Sequence, residues 1–578
     1  MKKKVRLLQE RIAAAQGHVP ADLVLKGGKV VNVFTGQIQA CDVAVHRGFV
    51  VGLGPDYRGK EEVDVSGKWV APALMDAHFH IESSMLLPSR LAAALLRRGT
   101  TAIVSDPHEI ANVLGLEGVR ALLRESEAIP FEIYFMAPSC VPATHLETSG
   151  AALAASDLRS LRKEPRMLGL AEMMNYPGVL AGDPEVLEKL AAFEDRRRDG
   201  HAPDLSGYEL QAYLAAGITS DHETFDRKTG LEKVQGGMML MIREGSNARN
   251  LEELLPLVTE RNSSRFCFVS DDLHPRDLLH RGHLDFMVSR AVRLGMDPVT
   301  AIRLASHNPA QHFGLRERGA VAPGYQADLV VLDDLEAFSI DAVYKDGRKV
   351  VSDGDLSVPV AGVQQHVPGA RPLRVGRVTP DSFRLAGRGG KARVIEMVPG
   401  QILTRMRCEE VRSDGGWVSS DVRADILKLA VVERHRGSGR IGLGLIQGFG
   451  LRGGALASSV AHDSHNVIAV GVSDQELCRA VEEVRDMGGG MVAVDGEKVL
   501  SRLPLPVAGL MSTASLEDLV VQQEDLEMAA RSLGCGVPEP FMQLSFLALP
   551  VIPELKLTDM GLVDVARFER VPLFMDEG

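Results

Sequence analysis

The stretch Ala73-Leu-Met-Asp-Ala-His-Phe-His-Ile-Glu-Ser-Ser84 places two histidines at the end of an apolar segment that begins at Trp69. On a β-strand, residues two apart point to the same side, so His78 and His80 share one face. Two neutral imidazoles arranged in this way can bind one metal ion. The alternative is that two surface or core histidines fall together by chance, but the polar residues farther along the chain favour a metal site.

The composition is that of a large globular enzyme. Of the 578 residues, 45% are hydrophobic and 25% are charged, which allows several domains, one of them an α/β barrel of about 250 residues. The net charge of −12 argues against a nucleic-acid-binding surface. The six cysteines form no CxxC pair, and no apolar stretch suits a signal peptide or a membrane span. We therefore expect a cytoplasmic enzyme that binds neither nucleic acid nor membrane.

Patterning divides the chain into four parts. Residues 1–72 are typical of an amphipathic helix followed by short strands with glycine turns. In residues 73–318, apolar strands alternate with helices, which predicts an α/β fold with a parallel barrel. Short strands return in residues 319–375, of which 358–372 have a linker composition, and residues 380–578 form a further mixed domain. After the strand before His78, the barrel strands are predicted at residues 100–106, 131–139, 167–174, 217–222, 238–245 and 266–272.

Polar residues lie at the ends of most of these strands. Because barrel active sites lie at the carboxyl ends of the strands, we expect these residues to meet there. A binuclear divalent centre needs about this many imidazoles and carboxylates, one of them bridging. Individually, Glu172 would be costly to bury unless paired or metal-bound, and His222 could be a hydrogen-bonded core residue. The candidates are His78, His80, Asp106, His108, Glu172, His201, His222, Asp271 and Asp272.

Longer blocks around these positions resemble a known family. The series from His78 to Asp271 resembles the amidohydrolase superfamily and, within it, the adenine deaminases of the bacterial type. Asn308-Pro-Ala310 and Gly324-Tyr-Gln-Ala-Asp328 resemble the superfamily's exit from the barrel into a small β-domain. The likeness extends over nearly the whole chain, in residues 78–85, 105–113, 169–178, 200–203, 220–223, 270–275 and 457–466.

One segment departs from the pattern of the family. An apolar strand is expected before His201, but residues 194–200 read Glu-Asp-Arg-Arg-Arg-Asp-Gly. We therefore expect the fifth strand to be either very short or irregular.

The resemblance implies a (β/α)8-type metallo-hydrolase barrel, a small composite β-sandwich domain and an additional C-terminal α+β domain. It also implies a binuclear centre of Mn²⁺ or Fe²⁺, with Zn²⁺ as a further alternative. Glu172 stands where dihydroorotase- and hydantoinase-like relatives typically carry a carbamylated lysine, which speaks against cyclic-amide hydrolysis. The implied metal ligands are His78, His80, Glu172, His201, His222 and Asp271.

The implied activity is hydrolytic deamination of adenine to hypoxanthine and ammonia, a step of purine salvage or catabolism, by attack of metal-bound hydroxide at C6. Asp271 would take the proton of the attacking water, and Glu82 or Glu223 would donate to the purine. Glu82 is preferred because its loop leaves the first strand over the site, although both glutamates could instead orient histidines. The expected substrate contacts are Glu82, Ser83, Asp106, His108 and Asp272.

Two other functions remain open at the level of the sequence. One is a related binuclear hydrolase that acts on a modified purine or a cyclic amide. The other is a scaffold without catalysis, which the full ligand set argues against, since unused buried carboxylates and histidines destabilise a core. His462 and His465 could form a second metal site, reach into the active site, or have a structural role. A homo-oligomer, dimer or tetramer, is also expected.

Overall fold

The computed structural model describes residues 2–361, 373–387, 390–398 and 401–575. Most of the predicted linker, residues 362–372, lies outside the described residues. The N-terminal helix spans Lys2–Ala15 and agrees with the amphipathic pattern at the start of the chain.

Eight strands form the barrel that carries the candidate site. They are β1 Leu74–Phe79, β2 Thr100–Ser105, β3 Glu132–Ala137, β4 Met167–Met173, β5 Arg197–Gly200, β6 Ser220–Asp221, β7 Met239–Arg243 and β8 Phe266–Val269. All neighbouring strands are parallel, from β1 to β5 and from β6 to β8. Two backbone hydrogen bonds join these two groups of strands into a closed barrel. Asp271 N, just after β8, donates to His78 O in β1 (3.0 Å), and Thr219 N, just before β6, donates to Arg198 O in β5 (2.9 Å). The predicted fold class is confirmed.

All six strands predicted after β1 extend beyond the observed ones, and backbone turns account for two of these differences. The strand predicted at 217–222 is reduced to β6, because Gly217 adopts a φ of +84°, which glycine tolerates and a strand does not. The strand predicted at 266–272 ends at Val269, because Asp271 has a φ of +60°. In both cases the strand gives way to a turn beside a candidate site residue.

Helices pack an apolar face against the outside of the strands. Pro88 begins the helix Pro88–Arg97, where its missing N–H loses no hydrogen bond, and Leu91 and Leu95 are buried on one face. The other helices of this region are His108–Leu114, Leu116–Glu125, Ala155–Leu161, Tyr176–Ala181, Pro184–Ala191, Gly207–Ala215, Arg227–Gln235, Leu251–Leu254, Pro275–His280, Leu284–Arg293, Pro298–Leu304 and His307–His312, with 3-10 turns at Glu82–Ser84, Leu255–Leu257 and Ser263–Arg265.

The small β-domain is built from both sides of the barrel sequence. Leu329–Asp334 pairs antiparallel with Trp69–Pro72, so the chain leaves the barrel beside the strand from which it entered. One sheet has the order Phe49–Gly54, Asp42–His46, Ala21–Lys26 and Gly59–Asp64. The other has the order Asp355–Leu356, Arg348–Ser352, Ser339–Lys345, Leu329–Asp334, Trp69–Pro72, Lys29–Asn32 and Gln37–Ala40.

The C-terminal region is a mixed α/β unit around an eight-stranded sheet. The sheet has the order Thr404–Val411, Gly390–Met397, Ile441–Gln447, Ile426–Val432, Val467–Gly471, Ala455–Ser458, Gly490–Asp495 and Lys498–Pro504. Helices cover Asp474–Asp486, Leu516–Ser532 and Pro540–Phe546, with a 3-10 turn at Pro380–Phe383. Shorter strands are Leu385–Ala386, Ser413–Asp414, Trp417–Val418, Leu555–Thr558, Gly561–Asp564 and Glu569–Arg570.

Among the described helices, none combines the length and the apolar character that a membrane crossing requires. All six cysteines lie in described segments, and each is a free thiol.

A buried ionic network joins the barrel exit to the small β-domain. Asp328 accepts from Arg318 Nη1, from Lys345 Nζ (3.1 Å) and from Asp346 N (2.9 Å). Arg318, Asp328 and Lys345 are each at most 9% exposed. Removing the carboxylate leaves Arg318 only Glu132 (2.9 Å) and Lys345 only the more exposed Asp346 (2.9 Å) as charge partners. The loss of the buried partner should cost up to about 3 kcal/mol.

We therefore predict that Asp328→Ala lowers the urea midpoint of the small β-domain. The chain has two tryptophans, so a Trp417→Phe background leaves Trp69, which lies in this domain, as the fluorescent reporter. Asp333→Ala is the control, because Asp333 pairs with Lys68 at 3.1 Å but its side chain is 55% exposed. Equal midpoints for the two variants would contradict a stabilising role of the buried network.

Candidate metal centre

Asp76 fixes the backbone at the end of β1. Its Oδ1 accepts from His78 N (3.1 Å), and its Oδ2 accepts from Ser270 N (3.1 Å) and the Ser270 hydroxyl (2.5 Å). His283 Nε2 lies 2.8 Å from the same Oδ2. Because Ser270 directly precedes Asp271, this buried carboxylate aligns the segment after β8 with His78 at the end of β1 and His80 just beyond it.

Glu172, near the end of β4, lies at the centre of the predicted ligands. Its Oε1 is 3.4 Å from His80 Nε2, and its Oε2 is 2.7 Å from His201 Nδ1 and 3.3 Å from His222 Nε2. The two oxygens therefore face different imidazoles. This is the arrangement that a carboxylate bridging two metal ions requires.

Asp271 completes the β1 side of the cluster. Its Oδ1 lies 3.0 Å from His80 Nε2 and 3.5 Å from His78 Nε2. Its left-handed backbone, with a φ of +60°, is uncommon for a residue other than glycine and turns the chain directly after β8. Asp272, the next residue, offers a carboxylate oxygen within 4.8 Å of a ligand atom of His80 and one of Asp271.

His201 follows a very short strand, as one of the two sequence alternatives predicted. Strand β5 has four residues, Arg197–Gly200, and tolerates its polar sequence because the buried Asp199 accepts from Ser220 Oγ (2.7 Å). Tyr213 Oη accepts from His201 N (3.1 Å) and donates to Met173 O (2.8 Å), which ties this loop to β4. The His201 side chain is 25% exposed, and those of Glu172 and His222 are nearly inaccessible.

A buried ion pair supports both His201 and His222. Lys233 Nζ lies 3.0 Å from Asp221 Oδ2 and also donates to Ala202 O. Asp221 Oδ1 accepts from Ala202 N (2.8 Å). Since Asp221 and Ala202 adjoin the two histidines, the pair fixes the distance between their loops.

Arg243 is a functional candidate that the sequence reading missed. It ends β7, is buried, and donates through Nη1 to both Glu223 Oε1 and Asp271 Oδ2. Burial opposes the charge of Arg243, but the carboxylates of Glu223 and Asp271 raise its pKa. The available signal was a charged residue that closes an apolar strand, as at β1 and β4.

The central carboxylates are held in the ionised form. Burial opposes ionisation of Glu172, but His222 and His201 hold its pKa well below the ordinary value. Burial likewise opposes ionisation of Asp271, but Arg243, followed by His78 and His80, holds its pKa well below the ordinary value. Both groups are therefore ready to bind cations at neutral pH.

The donor set fits two neighbouring divalent ions. His78 Nε2, both carboxylate oxygens of Asp106 and His108 Nδ1 are buried without a hydrogen-bond partner in the structure, which is costly unless a ligand satisfies them. Imidazole and carboxylate ligands without thiolate suit Mn²⁺, Fe²⁺ or Zn²⁺. The ligand groups are His80 with Asp106, His108 and Glu172; His78 with His222 and Asp271; and Glu172 with His201 and His222.

The residues predicted to contact substrate line one side of this cluster. Glu82 Oε1 accepts from Ile110 N (3.0 Å), while its buried Oε2 has no partner. Ser83 Oγ donates to Asp272 Oδ1 (2.5 Å). Asp106 Oδ2 lies 3.3 Å from His108 Nδ1, which is 3.7 Å from Glu172 Oε1.

The C-terminal domain reaches this side of the site, which the sequence reading had left open. Asp463 Oδ1 lies 3.9 Å from His108 Nε2, and His462 Nδ1 lies 3.4 Å from Glu109 Oε1. Glu109 is buried and was not assigned a role from the sequence, although it adjoins His108. The block at residues 457–466 was the available signal, but sequence cannot show which face of the barrel it contacts.

Comparison with known proteins agrees with this architecture. Residues 69–350 match the Amidohydrolase family, and residues 401–569 match the Adenine deaminase C-terminal domain. The chain is 52% identical to an adenine deaminase of Desulfatibacillum aliphaticivorans, over 97% of this chain and 99% of the relative. It is 50% identical to an adenine deaminase of Methanothrix thermoacetophila, over 98% of this chain and 100% of the relative.

A third relative, adenine deaminase 2 of Carboxydothermus hydrogenoformans, is 46% identical over 98% of this chain and 99% of its own length. Likeness at this level covers the barrel, the small β-domain and the C-terminal domain together. The chain therefore belongs to the adenine deaminase family of the amidohydrolases.

Proposed function

We propose that this protein hydrolyses adenine to hypoxanthine and ammonia at a binuclear divalent centre. The observation that carries the proposal is the Glu172 carboxylate, whose two oxygens face the imidazoles of His80 on one side and of His201 and His222 on the other. Relatives named adenine deaminase, alike over nearly the full length, support the substrate. A role in purine salvage or catabolism follows from the reaction.

The proposed metal ligands are the six predicted from the sequence: His78, His80, Glu172, His201, His222 and Asp271. Mn²⁺ or Fe²⁺ is the proposed metal, with Zn²⁺ as a further alternative, because nitrogen and oxygen donors suit all three ions. When bound, two divalent cations lower the pKa of water and so supply hydroxide near neutral pH.

In the reaction, the hydroxyl of water adds to C6 of adenine while ring N1 is protonated. The amino nitrogen then takes up the proton that water lost, its bond to C6 breaks and it leaves as ammonia, and the C6 hydroxyl returns a proton to the group that protonated N1. Asp271 Oδ1, beside His80, is the proposed acceptor of the proton from water. The proton that activates ring N1 is assigned to Glu82. Burial raises the pKa of Glu82, so this carboxyl retains a proton more readily than an exposed glutamate.

Glu223 fits the donor role less well than Glu82. Its Oε1 accepts from the buried Arg243 guanidinium, so this oxygen is already engaged in a charge-assisted hydrogen bond within the protein. We therefore assign Glu223 to orienting Arg243, which in turn contacts Asp271. Hydrolysis of cyclic amides is the less favoured function, because β4 supplies a glutamate rather than a lysine at the bridging position.

The proposed function predicts metal-dependent conversion of adenine. Protein loaded with Mn²⁺ should release one ammonia per hypoxanthine, lose activity after chelation and regain it when Mn²⁺ is restored. Dihydrouracil, a cyclic amide, is the control substrate and should release no product. Protein that holds about two metal ions per chain but leaves adenine unchanged would contradict the assignment.

A second prediction concerns Glu82 as the proton donor. Glu82→Gln should lower kcat by about 10²–10⁴-fold, because an amide cannot donate the proton. In the unmodified protein, kcat should fall as pH rises through the raised pKa of Glu82, and the substitution should abolish this alkaline limb.

Glu125→Gln is the matched control for Glu82→Gln. Glu125 is also buried with a raised pKa, caused by burial, but its Oε1 accepts from Ser89 in the helical layer. Metal content is measured in both variants. A Glu82→Gln protein with normal metal content, kcat and pH profile would exclude Glu82 as the donor.

A further inference from the structure

The loop at residues 460–466 of the C-terminal domain covers the substrate side of the barrel. The imidazole of His108 lies between Asp463 of this loop and Glu172. His108 Nε2 is 3.9 Å from Asp463 Oδ1, and His108 Nδ1 is 3.7 Å from Glu172 Oε1. The loop therefore lies close enough to Glu172 for its side chains to contact the end of a bound purine that is opposite the reacting carbon.

A cluster in this loop has the residue types of a metal site. Glu109, His462 and His465 offer ligand atoms within 4.8 Å of one another. However, His465 Nδ1 accepts a hydrogen bond from Ala461 N (3.2 Å), so the ring is neutral and its hydrogen lies on Nε2. A nitrogen that carries hydrogen has no lone pair for a metal. His465 Nε2 is instead a buried donor without a partner in the structure.

Asp463 supplies the complementary acceptor. Its Oδ2 is buried without a hydrogen-bond partner, and the residue is 3% exposed. An unsatisfied buried donor or acceptor costs about 1–3 kcal/mol, so the two atoms indicate a polar ligand. The N3/N9 edge of adenine matches them, because it presents one acceptor beside one N–H, at the end of the bicycle opposite C6.

The loop is held in place before any ligand arrives. His462 stacks on Phe546, with ring centroids 4.5 Å apart and an interplanar angle of 21°. Asn466 Nδ2 donates to Thr148 O (2.8 Å) in the barrel, and His435 Nε2 lies 2.7 Å from Ser464 O. Groups fixed in this way bind a ligand with little loss of conformational entropy.

We propose that this loop recognises the N3/N9 edge of the free purine base, with Asp463 accepting the N9–H and His465 Nε2 donating to N3. This inference rests on adenine as the substrate. It makes the C-terminal domain part of the specificity pocket and predicts that nucleosides bind poorly. A substituent at N9 removes the donor, leaves the Asp463 carboxylate unpaired and occupies its space.

The test compares hypoxanthine with 9-methylhypoxanthine as ligands of the Mn²⁺-loaded enzyme, by calorimetric titration. The wild-type protein should bind the methylated base at least about 100-fold more weakly. In Asp463→Ala, hypoxanthine should bind only slightly more tightly than 9-methylhypoxanthine. The ratio of the dissociation constant of the methylated base to that of hypoxanthine should therefore fall at least about 10-fold. Asp463→Asn keeps an acceptor oxygen and should preserve part of the ratio.

Asp495→Ala is the control, because Asp495 is an exposed carboxylate of the same domain, and its ratio should equal that of the wild type. Metal content and thermal midpoint establish that each variant is folded, and Asp463→Asn serves alone if Asp463→Ala does not fold. A ratio unchanged by both substitutions, in an enzyme that deaminates adenine, would overturn this inference. Failure of the wild type to deaminate adenine would instead overturn the proposed function.

Discussion

The rest of the site depends on one shared carboxylate. Glu172 faces His80 with one oxygen and His201 and His222 with the other, so it joins strands on both sides of β4. Buried carboxylates are stable only if their negative charge is neutralised by a partner. Divalent cations would neutralise the carboxylates and would also accept the lone pairs of the neutral imidazoles. The barrel supplies the geometry, because parallel strands end at one face.

A second layer of buried polar contacts holds these side chains in position. Asp76 joins the ends of β1 and β8, and the Asp221–Lys233 pair joins the loops of His201 and His222. Each of these groups is satisfied by hydrogen bonds within the scaffold. Contacts of this kind orient metal ligands to within fractions of an ångström. The site is therefore supported by the barrel rather than by its surface loops.

The sequence predicted the parts of the site that local pattern can reveal. Histidines and carboxylates that close apolar strands are visible as a change of polarity, and the structure brings His78, Glu172 and Asp271 together as expected. Strand ends were less predictable, since the turn at Gly217 and the left-handed Asp271 shorten two strands.

Tertiary partners were not predictable from local pattern. Arg243 was missed because its importance lies in two carboxylates distant in sequence, Glu223 and Asp271. The approach of Asp463 to His108 was likewise invisible, because it depends on how the C-terminal domain docks on the barrel.

The most direct test of a carboxylate-bridged centre is the anomalous diffraction of crystals grown with Mn²⁺. We predict two manganese peaks per chain, one on each side of the Glu172 carboxylate, in the wild type. In Glu172→Ala crystals, at least one of the two should be lost. A single peak, or two peaks that do not share Glu172 in the wild type, would contradict the account.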